Sequence, residues 1–263
     1  MYPVPSYPAA VGSIVDSHAH FNDHRFDDCR DELLGRINEL GVRKIINCGC
    51  DLETIDEVLA LGKKYPFCFS SVGFHPENIG DELPDLAALD RIIKENDKIV
   101  AVGETGLDYN WRDDNKDLQK AAFHTQLEIA KENSLPVIIH DRDAHADTLE
   151  ILKEHNPFGV VHCFSGSVEM AKEVVKMGMY IGIGGVLTFK NGRVLKEVAA
   201  EIPLERILLE TDAPYLSPEP FRGKLNHSAL IIYVAEKLAE IKNMSVAEVL
   251  KITSENTENL FRI

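Results

Sequence analysis

The sequence predicts a (β/α)8 TIM barrel, eight parallel strands ringed by helices, with one extra helix at the C-terminal end. Three observations carry this. Short apolar runs alternate with segments of helical period from residue 14 onward, eight such runs can be counted, and no low-complexity insert or long linker interrupts the 263 residues. That length suits one barrel better than two ordinary domains, so residues 1–263 are expected to form a single domain.

The strand candidates are residues 14–18, 44–48, 67–73, 99–104, 137–140, 160–163, 180–183 and 207–210. Nearly all are continuous apolar runs, as parallel strands covered on both faces require. Between the fourth and fifth, Leu118, Ala122, Phe123, Leu127 and Ala130 mark one face of a helix that should end near Pro136. After the eighth, residues 231–241 read as the helix that closes the barrel. Ser245 with Glu248 then makes a capping-box signature, which predicts a last helix through Leu260. The first dozen residues, rich in Tyr and Pro, read as an extended lead-in. An open doubly wound sheet is the competing arrangement on pattern alone.

Composition narrows the functional classes. No run of about 18 apolar residues occurs, and the N-terminal stretch lacks the basic flank and apolar core of a secretory signal, so a cytoplasmic protein without membrane contact is expected. Five cysteines, odd in number and without a CxxC pair, argue against a disulfide framework and read as reduced thiols, mostly in core strands. Against 28 Lys and Arg stand 43 Asp and Glu, a net charge of -15. Such a surface opposes extended wrapping of duplex nucleic acid, although bound divalent cations would reverse the field inside one small cleft. No obligate protein partner is readable.

Where the polar residues fall decides the chemistry. Several apolar strands end in a metal-type ligand, and in a barrel those carboxyl ends converge on one face. The first ends in Asp16-Ser17-His18-Ala19-His20, whose two-residue spacing puts His18 and His20 on one side of an extended chain. The fourth ends at Glu104, the fifth at His140, the sixth near His162, and Asp212 follows the eighth. Singly, each histidine reads more readily as a hydrogen-bonded core residue than as a ligand. Six such residues on five strand ends have no comparably economical structural explanation.

Four imidazoles and two carboxylates suit Zn, Mn, Fe, Co or Ni, while Mg prefers oxygen and can be recruited when a phosphate adds ligands. Six ligands exceed one tetrahedral ion, so two divalent ions (Mg, Zn or Mn) are expected, with Glu104 bridging them. His18, His20 and Asp212 would complete one ion and His140 with His162 the other.

In order, the segments Asp16 to His20, Gly73-Phe74-His75-Pro76-Glu77, Gly103 to Tyr109, Ile139 to Ala144, His162-Cys163-Phe164-Ser165-Gly166 and Leu209 to Tyr215 closely resemble the signatures of the TatD family of metal-dependent deoxyribonucleases. The resemblance runs from Asp16 to Phe261. It implies a TIM barrel of the metallo-dependent hydrolase superfamily and the same ligand set, His18, His20, Glu104, His140, His162 and Asp212. It also implies Mg-dependent cleavage of DNA phosphodiesters, commonly from a 3′ end. One departure is that Asn226-His227-Ser228 stands where the family usually has Asn-Glu-Pro, which bears on substrate recognition at the rim.

On this reading Glu104 and Asp212 are the catalytic carboxylates, Asp212 accepting or shuttling a proton while it holds its ion. His75 is a candidate phosphate contact or acid, Arg142 and Arg222, with Lys224, are candidate contacts to substrate, and Asp16 and Asp141 are expected to orient ligand histidines. The partner would be DNA with short or single-stranded ends. The alternative is a hydrolase of a small ester, amide, lactone or phosphate, because one barrel supports many hydrolyses through loop changes. A non-catalytic metal or nucleotide-binding module is a third class.

Overall fold

Eight strands pair side by side in chain order, every pair parallel, and a bridge from Ala19 to Ala213 joins the first strand to the chain just beyond the eighth. The ring is closed as a (β/α)8 TIM barrel. The computed structural model describes residues 12–263, and all but the last residue of the expected lead-in lies outside them.

The strands are β1 (Ile14–Ala19), β2 (Val42–Gly49), β3 (Cys68–Val72), β4 (Ile99–Asp108), β5 (Val137–Arg142), β6 (Gly159–Val161), β7 (Tyr180–Ile183) and β8 (Ile207–Leu209). Two boundaries matter for the site. β4 continues to Asp108, past the expected stop at Glu104, and β6 ends before His162. The extension of β4 depends on its glycines. Gly106 has φ 143°, and a Cβ there would lie 2.0 Å from the carbonyl oxygen of His140 on β5. Glycine alone lets the two backbones approach so closely.

Helices cover the ring: α1 (Arg30–Glu39), α2 (Leu52–Lys64), α3 (Ala87–Glu95), α4 (Lys116–Glu132), α5 (His145–His155), α6 (Val168–Lys176), α7 (Arg193–Glu201), α8 (Ile231–Lys242) and α9 (Val246–Phe261). α4 buries Ala122, Phe123, Leu127 and Ala130, the face expected from the sequence, and stops at Glu132, four residues before Pro136. α9 opens on the Ser245 and Glu248 capping box.

The interior and the helix-facing layer are distinct cores. Cys48 reaches His18 inside the ring, so Ile46, two residues earlier on β2, faces inward as well. Ile46 and Cys48 belong to a small buried cluster with Val100, Ile138, Val160 and Leu208, and Leu260 and Phe261 of α9 pack against it. The extra helix is thus a plug: Asn256 donates to the carbonyls of Leu204 and Ile207 at the amino end of β8. Of the five free cysteines only Cys48 and Cys68 lie in strands. Cys29 precedes α1, and Cys50 and Cys163 follow β2 and β6, so most of the thiols lie outside the strands, contrary to the expectation. No helix among the described residues is long and apolar enough to cross a membrane.

Candidate metal centre

At the carboxyl end of the ring Glu104 forms the hub. Its Oε1 lies 2.7 Å from His140 Nδ1, 2.7 Å from His162 Nε2 and 3.3 Å from His75 Nε2. Its Oε2 faces the other way, 3.3 Å from His18 Nε2 and 3.7 Å from His20 Nε2. Asp212 Oδ1 completes that second side, 3.6 Å from His18 and 3.5 Å from His20. His162 stacks on His18 at 3.9 Å between ring centroids, so it stands between the two groups. All six residues expected from the sequence therefore converge, each from a different strand end except the His18 and His20 pair.

The local backbone explains the convergence. β1 sends both His18 and His20 to one side by two-residue alternation. Beyond β6 and β8 the chain turns through left-handed residues, Cys163 with φ 43° and Asp212 with φ 56°. Asp tolerates that region better than most residues because its short side chain bonds locally. Asp16, fully buried, braces the same corner by accepting from the amide and hydroxyl of Thr211 and from the amide of His18.

The ring tautomers are set from behind. His20 Nδ1 faces the carbonyl of Cys48 at 3.2 Å, which fixes a proton there and leaves the Nε2 lone pair toward the cluster. For His140 the partner is Asp108, whose Oδ2 lies 3.0 Å from Nε2. The sequence reading missed Asp108, although it sits four residues beyond Glu104 on the extended β4. Asp141, expected in this role, instead accepts from His145 Nδ1 and Thr148 Oγ1. Asp16 orients the His18 backbone and the turn after β8, not an imidazole.

The electrostatics follow from burial and from these partners. Desolvation opposes charge on Glu104, but His162, His75, His18 and His140 together hold its carboxyl well below the usual range. Burial also opposes charge on His140 and His162, yet Asp108 and Glu104 lift His140 to about 10, and Glu104 lifts His162 to about 9. Buried His18 is pushed down to about 4. Burial raises Glu210, which lies behind His162, to about 8.

The donors fit a divalent ion. Three groups, His18 with His162 and Asp212, His18 with His20 and Glu104, and His75 with Glu104 and His140, each bring their ligand atoms within 4.8 Å of one another. His18 Nε2 and His20 Nε2 point at each other at 3.0 Å, an approach of two aimed nitrogens that a shared cation suits. His75 was expected as a phosphate contact or acid, not as a ligand. Its buried ring at Glu104 Oε1 brings it into donor range as well.

The cluster floors a cavity of about 1060 Å³. Arg142 lines it and Arg222 does not: Arg222 stacks over Phe189, its Cζ 4.4 Å from the ring centroid. Lys224 is likewise outside the described lining. Arg30 is the other arginine of the wall, while Asp23, Asp27, Glu53, Glu57 and Glu77 make one side acidic. Tyr215, exposed with Arg25 stacked 4.1 Å above it, forms part of the rim that the sequence reading did not single out. Asn226, His227 and Ser228 are fully buried, so the departure from the family pattern lies beneath the site and not at its rim. Asn226 there donates to the carbonyls of Thr211 and Tyr215 and holds the turn that carries Asp212.

A closed parallel barrel with convergent imidazole and carboxylate donors at the carboxyl ends of its strands defines a metal-dependent hydrolase of the TIM-barrel type. The chain belongs to the family described as TatD related DNase, whose model matches residues 15–262. It is 43% identical over 253 residues to an uncharacterised metal-dependent hydrolase, YabD, of Bacillus subtilis (strain 168), covering 95% of this chain and 99% of that one. A 3′-5′ ssDNA/RNA exonuclease, TatD, of Cronobacter sakazakii is 33% identical over 256 residues, 94% of this chain and 97% of its own. The crystal structure of YJJV, a TatD homologue from Escherichia coli K12, superposes with a TM-score of 0.90 at 33% identity and covers 96% of this chain and 99% of that chain.

Proposed function

We propose that the protein is a deoxyribonuclease that hydrolyses DNA phosphodiester bonds from short or single-stranded 3′ ends, with two divalent ions (Mg, Zn or Mn) held on the Glu104 hub. The observation that carries this reading is the division of Glu104, whose two oxygens face separate groups of imidazoles. His18, His20 and Asp212 would hold one ion and His140 with His162 the other, with Glu104 shared between the two groups.

Divalent ions bound there would supply an acidic water and offset charge on the phosphate oxygens. Asp212 takes the proton of the attacking water. The water oxygen bonds to phosphorus, the bond from phosphorus to the sugar oxygen breaks, and the proton passes to that leaving oxygen. His75 and Arg142 hold the phosphate in line, and Arg142 places its guanidinium beside it. Arg222, stacked on Phe189 outside the cavity lining, is left without a role at the scissile phosphate.

A second reading is favoured by the acidic wall of the cavity, which suits a small ester, amide, lactone or phosphate better than a long polyanion. One panel separates the two: single-stranded DNA, blunt duplex, nucleotide monoesters, esters and amides under matched metal concentrations. Metal-dependent release of mononucleotides from a 3′ single strand, abolished by chelator, is the expected result. Turnover of a small substrate alone would overturn the nuclease reading.

A further inference from the structure

On the outer ring of helices a second set of donors meets, with no member in the cavity lining. His124 stands midway along α4 and His155 is the last residue of α5. His124 Nδ1 lies 2.7 Å from His155 Nε2, and the other ring nitrogen of His155, Nδ1, lies 2.9 Å from Glu128 Oε1, one turn beyond His124 on α4. The His155 side chain is only 10% exposed, so its ring is held in this setting. Because α5 leads into β6, the pair lies toward the amino ends of the strands, away from the mouth.

The hydrogen bonds determine the tautomers. A carboxylate at Nδ1 keeps a proton there, which leaves Nε2 of His155 as a lone pair. His124 Nδ1 then donates to it, and one proton separates two aimed nitrogens. We propose that His124, Glu154 and His155 form a second metal site, for a borderline transition-metal dication such as zinc, with Glu128 orienting His155 from behind.

Their ligand atoms already lie within 4.8 Å of one another. Zinc bonds of about 2.0–2.1 Å place two nitrogens of a tetrahedron roughly 3.3 Å apart, so the rings need part by well under 1 Å. The displaced proton moves to His124 Nε2 as a change of tautomer, and the pair stays neutral. Carboxylate behind imidazole is the usual outer support of a zinc-bound histidine. The helix terminus adds to it: α5 ends at His155 with Asn156 left-handed, and the negative end of the helix dipole favours a cation. Two imidazoles and one carboxylate select zinc over magnesium. The ion would tie α4 to α5, the helices that follow the strands carrying Glu104 and His140.

The test uses the whole protein, stripped with chelator and dialysed against zinc at a buffered micromolar free concentration. Zinc per chain is then counted for the wild type, His124→Ala and Glu154→Gln. The wild type is expected to keep one zinc per chain more than His124→Ala, with Glu154→Gln losing that zinc at lower chelator strength. Magnesium in place of zinc should give no such difference. Crystals of the unaltered protein grown with zinc should show an anomalous peak between His124 and His155, a measurement independent of how the variants fold. Equal zinc counts in wild type and His124→Ala, or an anomalous map without that peak, overturns the proposal.

Discussion

Asp108 and His140 are joined by a 3.0 Å contact from Oδ2 to Nε2, on adjacent strands and with Asp108 fully buried. The contact turns Nδ1 of the same ring toward Glu104 and keeps the imidazole rich in electrons. Asp108→Asn keeps the shape, and its Oδ1 can still accept from the amides of Asn110 and Trp111. The expected outcome is metal affinity weaker by roughly 10–100-fold with an unchanged circular dichroism spectrum, since partners of this kind carry about that much. A calorimetric metal titration reads it. Unchanged affinity would remove Asp108 from the centre.

Glu104→Gln should be more severe, because one side chain serves both groups of imidazoles. An amide retains the volume but loses the charge and one acceptor. Loss of several kcal/mol of charge stabilisation corresponds to at least about a 100-fold fall in hydrolysis. Metal content, measured by elemental analysis, should fall in parallel. Normal occupancy with normal turnover would contradict the bridging role.

Protons and metal ions compete for His140 and His162. Their raised values, about 10 and about 9, lie above the imidazole value of about 6.5 expected in an unfolded chain. In chelator-treated protein the resulting stabilisation is complete below about pH 6.5 and is lost as pH rises through about 9 to 10. Its melting temperature should therefore fall across that upper window. Metal affinity should run the other way and weaken as pH drops from about 10, since each ligand must shed its proton. Thermal melts and metal titrations on one pH series check both signs, and an affinity independent of pH would count against these two histidines as ligands.

Arg142 lines the cavity and Arg222 stacks on Phe189, so the two should differ. Arg142→Ala is expected to raise KM for a phosphodiester about 10-fold or more, the loss of one charge-assisted contact, and Arg222→Ala to change it by less than about 3-fold. With so few cations near the mouth, binding to a single strand should also depend weakly on salt. A slope implying roughly six or more phosphate contacts, measured with excess divalent ion held constant, would contradict a local site.

Much of this molecule was legible as sequence. The eight apolar runs, the α4 face and the Ser245 capping box follow from local periodicity and capping, which act over a few residues. The six convergent donors were legible for a related reason: parallel strands of a barrel share one carboxyl end, so a polar residue at each end implies a meeting point. Tertiary structure alone decided which neighbour each polar side chain meets. Asp108 became the partner of His140 only because Gly103 and Gly106 let β4 run on beside β5, while Asp141 turned to the helix that follows it. Likewise Asn226 and His227 read as rim residues by their distance along the chain but are buried beneath Asp212, and Arg222 turns to an aromatic ring instead of the cavity. Spacing along a strand fixes which face a residue is on; which neighbour it meets across a loop depends on packing between segments distant in sequence, and no local pattern carries that information.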